Sequence, residues 1–457
     1  MSSSRVILVS NRLPVHVTEE AGKLVLNRSI GGLATALSSI IGKRPVLWVG
    51  WAETRQKLSK KQLALLHFPN YLIPVAISPR LLNRYYHRLA NGVLWPIMHG
   101  IKPARLDQEA DWQATREVTT RFTNAIEEHC QADDIIWVHD YHLVLLPQQL
   151  RERGLKNRIG FFLHTPFPPP AVFMKWRHHL ALLQSLSRVD VLGFQTQRDV
   201  KHFRACCTAA GISMRRRAVI AAFPIGVDFK AYRSALKLRG VSSYLQGIRR
   251  KVTSKKVILS VSRLDYTKGI IEQLHAVEKA LSLYSPGSVL YKLVVAPSRE
   301  GLSEYQKLRD EIDSVVRDIN RVYKKMHKVL PIAFEYRSYG FEELNAWYRM
   351  ADVLLVTPRI DGMNLIAKEY IAAHDGYSGA VVLSKTVGAA EQLKEAVQVD
   401  PNDVDSVTDG LLYALSMPAG ERKRRWQQLR HIVKKEDVFW WAESFIRVLS
   451  GETQRGA

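Results

Sequence analysis

The fold class of this chain is decided by the stretch VTPRIDGMNLIAKE, residues 356–369. A β-branched apolar run ends at Thr357, and Pro358 prevents the strand from continuing. Gly362 then permits a turn, and a helical pattern begins near Asn364. A strand that leads directly into a helix is the repeating unit of parallel sheets whose faces are covered by helices.

The same alternation continues along the whole chain, which predicts an α/β protein. The strand candidates are Val6–Val9, Val46–Val49, Ile135–Val138, Ile159–Leu163, Val189–Phe194, Val257–Val261, Leu290–Ala296, Ile332–Phe334, Val353–Thr357 and Ala380–Leu383. Helical patterns lie between them, among them His142–Arg153, Ser303–Asn320 and Leu365–Ala373. Because both halves show this order, we predict two doubly wound domains. Ligands should bind beyond the carboxyl ends of the strands, in the cleft between the domains.

The domain boundary is predicted within a basic stretch near the middle of the chain. Phe223–Gly226 carries Pro and Gly and predicts a turn, and the basic stretch Val227–Ser254 follows it. We place the boundary after residue 235, which gives domains of residues 1–235 and 236–437. A last helical pattern, Val438–Leu449, carries four aromatic residues for which we predict a packing role: Phe439, Trp440, Trp441 and Phe445.

The composition predicts a globular protein in a reducing compartment. Hydrophobic residues make up 46% of the 457 residues and charged residues 24%, as in ordinary globular domains. The first apolar run, Val6–Val9, is too short for a signal peptide, and no apolar stretch reaches the ~18 residues of a membrane span. Cys130, Cys206 and Cys207 lack the spacing of a metal or redox site, so we expect buried apolar residues. The expected location is cytoplasmic.

The net charge of +23 is concentrated in one segment. Residues 201–256 hold 14 Lys and Arg residues against a single acid, Asp228. Such a segment fits either a nucleic acid partner or a solvated surface that attracts small acidic substrates. We favour the second interpretation, because no helix-turn-helix, RRM or zinc-finger pattern accompanies the charge.

Polar side chains follow two predicted strands of the second half. Arg263 and Lys268 lie five residues apart after one strand, and two fixed cations can clamp a diphosphate and stabilise it as a leaving group. Surface cations after a strand are also common without any such role. After the strand that ends at Thr357, a helix begins near Asn364, and the free backbone N–H groups at its start form an anion site. Glu369, one turn further, either accepts ribose hydroxyls or simply favours the helix N-terminus.

The first half places histidines and an aspartate at strand ends. Asp140 and the histidines His139, His142 and His164 suit the recognition of sugar hydroxyls. A zinc site from the three histidines stays open, but their spacing matches no recognised ligand pattern. The glycine pair that contains Gly32 allows close backbone approach to a ligand, and the absence of G-x-G-x-x-G argues against a nicotinamide enzyme.

An acidic segment in the second half resembles a phosphatase motif but has a simpler explanation. Asp403–Val407 lacks an apolar strand before it and is followed by a helical run. We therefore predict that this segment caps a helix.

Taken together, these segments resemble the trehalose-6-phosphate synthase family of retaining glycosyltransferases. The resemblance runs from Val6 to about Ile446. The matching stretches are Ser10–Val15, Gly31–Leu33, Trp48–Trp51, Tyr85–Pro96, Trp137–Leu143, Phe161–Pro168, Gly193–Thr196, Phe223–Asp228, Arg263–Gly269, Ala296–Arg299 and Asp361–Tyr370. So many motifs in the same order make the resemblance specific.

The resemblance implies a GT-B fold of two Rossmann-like domains, with the C-terminal helix 438–457 crossing back to the first. It implies a UDP-glucose donor, a glucose 6-phosphate acceptor and no cofactor, because the nucleotide-sugar is a co-substrate. The residues that match the donor site are Arg263 and Lys268 for the diphosphate, Gly362, Met363, Asn364 and Leu365 for the phosphate cradle, Glu369 for the ribose, Asp361 and His164 for the glucose, and Gly32 for the loop over the donor. The residues that match the acceptor site are Arg12, Tyr86, Trp95 and Arg299 for the phosphate and Asp140 for the sugar.

Two departures from the family pattern concern the nucleotide preference and one loop. The family's arginine directly before Asp361 is replaced by Ile360, and Arg359 lies one position earlier. A glycine-containing family segment is replaced by Ile319–Lys325. The donor base, the oligomeric state (a homo-oligomer included) and regulation stay open.

Three other functions compete with the synthase interpretation. A sister enzyme would use another phosphorylated acceptor, such as glycerol 3-phosphate. A sugar-phosphate sensor would bind without transfer, and a nucleic-acid-binding protein would use residues 201–256. No membrane partner is expected.

Overall fold

Two parallel sheets organise the chain, one in each of the two units into which it divides. The structure is a computed structural model, and it describes residues 5–20, 23–28, 37, 45–52, 71–252, 255–299, 303–374, 376 and 379–452. Unit 1 comprises Met1–Ile225 and Val438–Ala457, and unit 2 comprises Gly226–Asp437. The chain thus passes from unit 1 to unit 2 inside the predicted turn at Phe223–Gly226, whereas the sequence boundary was placed after residue 235.

Gly226 explains why the first and last residues of unit 2 can meet. A Cβ atom at this position would lie 2.4 Å from the carbonyl oxygen of Glu436 and 2.4 Å from the carbonyl carbon of Asp437. Because both are backbone atoms, no side-chain movement would relieve such a contact. Only glycine permits this approach.

Unit 1 is built on a sheet of seven parallel strands in the part that the structure describes. The unit also contains a two-stranded hairpin, and its strands in chain order are β1 (Val6–Arg12), β2 (Val15–Glu20), β3 (Lys23–Arg28), β4 (Val46–Trp51), β5 (Tyr71–Val75), β6 (Ile135–His139), β7 (Arg158–Phe162), β8 (Val191–Phe194) and β9 (Val219–Ala222). The large sheet has the order β5-β4-β1-β6-β7-β8-β9, and β2 pairs with β3 in a separate antiparallel hairpin. The central strands β1, β4 and β6 are buried almost throughout, as expected for a sheet covered on both faces.

Helices connect these strands. They are α1 (Pro79–Leu82), a π-helix (Asn83–Leu94), α2 (Trp95–Met98), α3 (Glu109–His129), a 3₁₀ turn (Tyr141–Leu143), α4 (Leu146–Glu152), α5 (Pro170–Phe173), α6 (His179–Leu186) and α7 (Gln197–Ala209).

Unit 2 is built on a second parallel sheet, with six strands among the described residues. The strands are β10 (Lys256–Arg263), β11 (Val289–Ala296), β12 (Ile332–Tyr336), β13 (Val353–Val356), β14 (Ala380–Ser384) and β15 (Val397–Val399), in the order β12-β11-β10-β13-β14-β15. The helices are α8 (Phe229–Ser234), a 3₁₀ turn (Ala235–Lys237), α9 (Arg239–Lys251), a 3₁₀ turn (Tyr266–Lys268), α10 (Ile270–Leu281), α11 (Ser303–His327), α12 (Phe341–Met350), α13 (Leu365–Ala373), α14 (Ala389–Gln392), α15 (Val404–Ser416) and α16 (Ala419–Lys435).

The first strand of each unit lies in the middle of its sheet. β1 pairs with β4 and β6, and β10 pairs with β11 and β13. Connections therefore leave the central strand in opposite directions, and a ligand site is expected where the strand order reverses. The doubly wound parallel organisation predicted from the sequence is confirmed in both units, and Asp403 caps α15 as predicted.

The last helix, α17 (Val438–Ser450), belongs to unit 1 because an aromatic ring packs against two glycines. A Cβ atom at Gly160 on β7 or at Gly193 on β8 would lie 2.7 Å from the ring of Phe445. The two glycines thus leave the space that the ring fills. Trp441 and Phe445 are fully buried, which confirms their predicted packing role, whereas Trp440 is 37% exposed.

We expect Phe445→Ala to lower the free energy of unfolding by about 3–5 kcal/mol, since it leaves a cavity over two glycines that have no side chains to collapse into it. Urea unfolding of unit 1 would measure the loss. Trp440→Ala on the exposed side of the same helix is the control and should cost less than ~1 kcal/mol. Equal losses in both variants would show that α17 is not held by the Phe445 contact.

Candidate active site

The two loops that carry the predicted donor residues are joined by backbone contacts. The loop after β10 and the loop after β13 meet where the Arg359 N–H donates to the Thr267 carbonyl at 2.8 Å. Gly269 has φ +62°, and a Cβ atom there would lie 2.9 Å from the Thr357 carbonyl oxygen. The left-handed conformation and the close approach both require glycine. This contact brings the residues after β10 beside those after β13.

An ion pair connects the two loops at the predicted donor site. Lys268 Nζ lies 2.7 Å from Asp361 Oδ2, and the two side chains are 10% and 17% exposed. Arg263, at the end of β10, is exposed. The structure therefore brings together a cation predicted to bind diphosphate and a carboxylate predicted to hold glucose.

The segment after Asp361 is held by its own side chains. Asp361 Oδ1 accepts the Gly362 N–H at 3.0 Å, and Asp361 Oδ2 accepts a hydrogen bond from the Asn364 amide at 3.1 Å. Asn364 caps α13 by accepting the Ala367 N–H and has φ +68°. Met363 is buried, and its carbonyl accepts the Ala389 N–H at 2.9 Å. The predicted phosphate cradle, which ends at Leu365, is thus a fixed turn at the start of α13.

Arg299 is held by an aspartate that the sequence analysis did not select. Asp265 is 1% exposed, and its carboxylate lies 2.6 Å from an Arg299 guanidinium nitrogen and 3.3 Å from the Tyr305 hydroxyl. Burial raises the pKa of Asp265, but the positive charges of Arg299, Lys268 and Arg263 outweigh burial, so that the pKa lies below its ordinary value. Arg299 belongs to unit 2, and the other predicted acceptor residues belong to unit 1.

Backbone conformation marks three of the predicted site residues. Four non-glycine residues of the described chain have a positive φ, and three of them are Asp140, Arg299 and Asn364, at φ 71°, 50° and 68°. Such conformations cost free energy and persist where the surroundings impose them, often at functional sites. Asp140 and Asn364 are of the residue types enriched at positive φ, whereas the residue type of Arg299 gives no such signal.

Glu369 lies on α13 in a buried environment. It is 8% exposed, and the Tyr348 hydroxyl donates to its Oε2 at 2.7 Å. Tyr232 is a second hydrogen-bond partner. Burial raises the pKa of Glu369, and the hydrogen bonds from the two tyrosines lower it only in part. Neither tyrosine was selected from the sequence, because both lie on helices distant along the chain.

In unit 1, the predicted acceptor residues Arg12 and Tyr86 are in contact. The Arg12 guanidinium lies 5.0 Å from the Tyr86 ring centroid and 5.4 Å from that of Trp51. Tyr86 stacks on His142 at 5.5 Å with an interplanar angle of 14°. Tyr86 lies on the π-helix, a rare conformation frequent at functional sites. A cation framed by aromatic rings suits a phosphate monoester.

Trp95 is further inside unit 1. It is 7% exposed, and its ring lies 4.0 Å from His99 and 5.7 Å from Tyr141. Tyr141 in turn belongs to the 3₁₀ turn that follows Asp140. The structure therefore packs Trp95 against the loop after β6 and buries most of its ring.

Asp140 and His164 follow neighbouring strands and are connected. Asp140 Oδ1 accepts the His164 backbone N–H at 3.2 Å, and the Asp140 N–H donates to the Phe162 carbonyl at 2.8 Å. His142 Nδ1 lies 4.0 Å from Asp140 Oδ2. The loops after β6 and β7 thus form one polar cluster beside β1.

His164 belongs to a hydrogen-bonded chain that fixes its protonation. The Ile225 N–H donates to Gln195 Oε1 at 3.0 Å, so the Gln195 amide nitrogen faces His164 Nδ1 at 3.4 Å. His164 Nε2 therefore carries the proton and donates to His139 Nδ1 at 3.1 Å. Burial lowers the pKa of His164 to about 3 and that of His139 well below its ordinary value. Both rings are neutral, and Gln195 is a partner that the sequence analysis missed.

Other predictions from the sequence have varied outcomes. Gly32 lies outside the described residues. Cys206 and Cys207 are buried as predicted, whereas Cys130 is only partly buried. Within the described ranges, no group of three or more His, Cys, Asp or Glu residues is placed to hold a metal ion. No helix in the part that the structure describes has the length and apolar character of a membrane span.

Comparison with known proteins gives one family. The sequence model of glycosyltransferase family 20 matches residues 4–451. The UDP-forming α,α-trehalose-phosphate synthase of Botryotinia fuckeliana is 35% identical over 100% of this chain and 90% of its own length. The Dictyostelium discoideum enzyme A is 35% identical over 98% of this chain, which spans 63% of that relative.

Solved structures agree in fold. An E. coli protein bound with UDP-2-fluoro glucose has a TM-score of 0.87, with 32% identity and coverage of 98% of this chain and 99% of that one. A Burkholderia xenovorans α,α-trehalose-phosphate synthase in complex with glucose-6-phosphate has a TM-score of 0.86, with 30% identity and coverage of 98% and 100%. The predicted GT-B fold and enzyme class are confirmed. The chain is a member of glycosyltransferase family 20.

Proposed function

We propose that this enzyme transfers glucose from UDP-glucose to glucose 6-phosphate and forms α,α-trehalose 6-phosphate with retention of the anomeric configuration. One observation carries the proposal, namely the contact of Lys268 with Asp361 at 2.7 Å. In a nucleotide-sugar, the diphosphate is bonded directly to the sugar. A cation for phosphate and a carboxylate for sugar hydroxyls must therefore be neighbours.

Stabilisation of the leaving diphosphate is the main contribution that we assign to the protein. Negative charge develops on the diphosphate as the bond to glucose breaks, and Arg263 with Lys268 would meet that charge. In a retaining transfer without a protein nucleophile, the acceptor hydroxyl attacks from the face that the diphosphate leaves. A phosphate oxygen takes the hydroxyl proton, and UDP departs.

The two units would divide the recognition of substrates. In unit 2, Gly362–Leu365 would hold the phosphates and Glu369 the ribose. In unit 1, Arg12 and Tyr86 would bind the acceptor phosphate, beside Trp95, and Asp140 would bind the acceptor sugar. His164 stays a predicted glucose contact through atoms other than its two ring nitrogens, which are bonded to His139 and Gln195. Arg299, which belongs to unit 2, stays a predicted contact of the acceptor phosphate.

Ile360 stands where the family has the arginine directly before Asp361. Arg359, one position before the family's arginine, pairs with Glu272 on α10. This ion pair engages Arg359 within unit 2.

A product assay tests the proposed reaction. Purified protein would receive UDP-, ADP- or GDP-glucose with glucose 6-phosphate, fructose 6-phosphate or glycerol 3-phosphate, and nucleoside diphosphate and product mass would be read. Trehalose 6-phosphate formed from UDP-glucose and glucose 6-phosphate is the expected result. Turnover with another acceptor alone would indicate a sister activity, and no turnover with any pair would favour a sensor.

Removal of both diphosphate cations should nearly abolish turnover. We expect Arg263→Ala with Lys268→Ala to lower kcat at least ~10³-fold, since loss of even one such group costs ~10²–10³. The control replaces two exposed cations of unit 2, Lys279 and Arg321, by Ala and should retain activity. Near-normal turnover of the first variant would refute the assignment.

Arg12→Ala should affect the acceptor and not the donor. A lost hydrogen bond to a charged group costs ~1.5–3 kcal/mol, so KM for glucose 6-phosphate should rise on the order of 10–100-fold. The Kd for UDP, measured by calorimetry, should stay unchanged. A weaker UDP affinity with an unchanged KM would place the phosphate pocket elsewhere.

His164 should stay neutral under mildly acidic conditions. Its pKa of about 3 is lower in the folded than in the unfolded chain, where histidine titrates near 6.5. The unfolded chain therefore binds the extra proton, and stability falls as the pH decreases from ~6.5 to ~3, by ~1.4 kcal/mol per pH unit for this residue. Nitrogen-15 NMR of histidine should show a neutral ring at pH 5, and in urea the same residue should titrate normally. Protonation of the folded protein near pH 6.5 would contradict the buried chain of hydrogen bonds.

A further inference from the structure

Glu369 is enclosed by three helices of unit 2. Tyr348 on α12 donates to Glu369 Oε2 at 2.7 Å and is itself fully buried. Tyr232 on α8 is the second hydroxyl that bonds to the carboxylate. Glu369 itself lies on α13. A carboxylate that is only 8% exposed has little bulk water to stabilise its charge, so its hydroxyl partners have a large effect on its protonation.

Both tyrosines are obligatory donors in this cluster. Burial, and after it the charge of Glu369, raises the pKa of each hydroxyl well above its ordinary value. The hydroxyls therefore keep their protons, and each donates to the carboxylate. An ionised carboxylate offers about four lone-pair sites, so two donors leave capacity for two more hydroxyl groups.

The surroundings keep both tyrosines in place. The Tyr232 carbonyl accepts hydrogen bonds from Arg349 at 3.2 Å and from Asn345 at 3.5 Å. The Tyr232 ring packs on Phe341 at 5.1 Å, and the Tyr348 ring meets the edge of Tyr370 at 6.2 Å. These contacts hold the two tyrosine side chains in position beside Glu369.

We propose that Tyr232 and Tyr348 are positioning residues for nucleotide recognition, which hold the Glu369 carboxylate so that it accepts the 2′ and 3′ hydroxyls of the donor ribose. The inference rests on the proposed function, because it takes Glu369 as the ribose contact. It adds two residues that act through Glu369 and a pH dependence of nucleotide affinity that they control.

The test compares Tyr348→Phe with the unmodified full chain by calorimetry, with UDP and 2′-deoxy-UDP as probes. Loss of one donor should weaken UDP binding about tenfold, as expected for a hydrogen bond to a charged group. Binding of 2′-deoxy-UDP should weaken by less than about threefold, because that probe already lacks one hydroxyl that Glu369 accepts. The variant should therefore distinguish UDP from 2′-deoxy-UDP less strongly than the unmodified chain does.

The pH dependence separates this role from a merely structural one. A hydrogen bond to the ionised form lowers the pKa of a carboxyl, so its removal lets Glu369 take a proton at higher pH. Between pH 7.5 and 5.5, Tyr348→Phe should therefore lose more UDP affinity than the unmodified chain. Glu369→Gln, which cannot ionise, should show no such added loss.

Tyr370→Phe is the matched control. Tyr370 is also fully buried, but its hydroxyl donates to the Ala351 carbonyl at 2.9 Å and not to a carboxylate. This variant should lose stability while its UDP affinity stays within about twofold at both pH values. Tyr232→Phe offers a second variant of the cluster should Tyr348→Phe fail to fold.

Two results would overturn the inference while the proposed function stands. One is unchanged UDP affinity in both tyrosine variants at both pH values. The other is equal weakening of UDP and 2′-deoxy-UDP, which would show an effect on the fold and not on the ribose contact. If the unmodified chain neither binds UDP nor transfers glucose, the proposed function fails and the inference fails with it.

Discussion

The central position of the first strand in each sheet is the constraint on which the rest of the structure depends. All strands of a parallel sheet end at the same edge, and connections from β1 and β10 leave in opposite directions. The loops after the central strands therefore have no helix between them. In unit 2 this allows Gly269 to touch the Thr357 carbonyl and Lys268 to reach Asp361. A side chain at Gly269 would separate the two loops that carry the predicted donor residues.

The sequence predicted the central strands of both sheets and one of their four edge strands, β12. Central strands are buried on both faces, so they read as continuous apolar runs, and all ten strand candidates correspond to strands of the two sheets. The strands that were missed are β5, β9 and β15 at sheet edges and the hairpin of β2 and β3. β5 contains Pro74, which an edge strand tolerates, and β15 has only three residues. Edge strands are shaped by their neighbours more than by their own composition.

The sequence was sufficient to predict those candidate site residues that directly follow a strand along the chain. Arg12 and Asp140 in unit 1 and Arg263 and Asp361 in unit 2 all lie at or just after strand ends, and parallel topology brings such residues to one edge of each sheet. What the sequence did not reveal depends on partners far along the chain. Gln195 faces His164, Asp265 holds Arg299, and Tyr232 and Tyr348 enclose Glu369. No local pattern encodes these contacts, because each joins elements that meet only after folding.

The two ion pairs around the predicted donor loops differ in their burial. Among five ionised side chains, Arg263, Lys268 and Arg299 face Asp265 and Asp361, so one positive charge is in excess. Asp265 is buried with Arg299 and is expected to keep that partner, because a buried charge left without one is costly. Asp361 is 17% exposed whereas Asp265 is fully buried, so water can reach Asp361 when it loses a contact. Of the two ion pairs, the one between Lys268 and Asp361 is therefore the pair that a diphosphate would open at the lower cost. Opening it would give a cation to the leaving group and a carboxylate to the sugar in the same step.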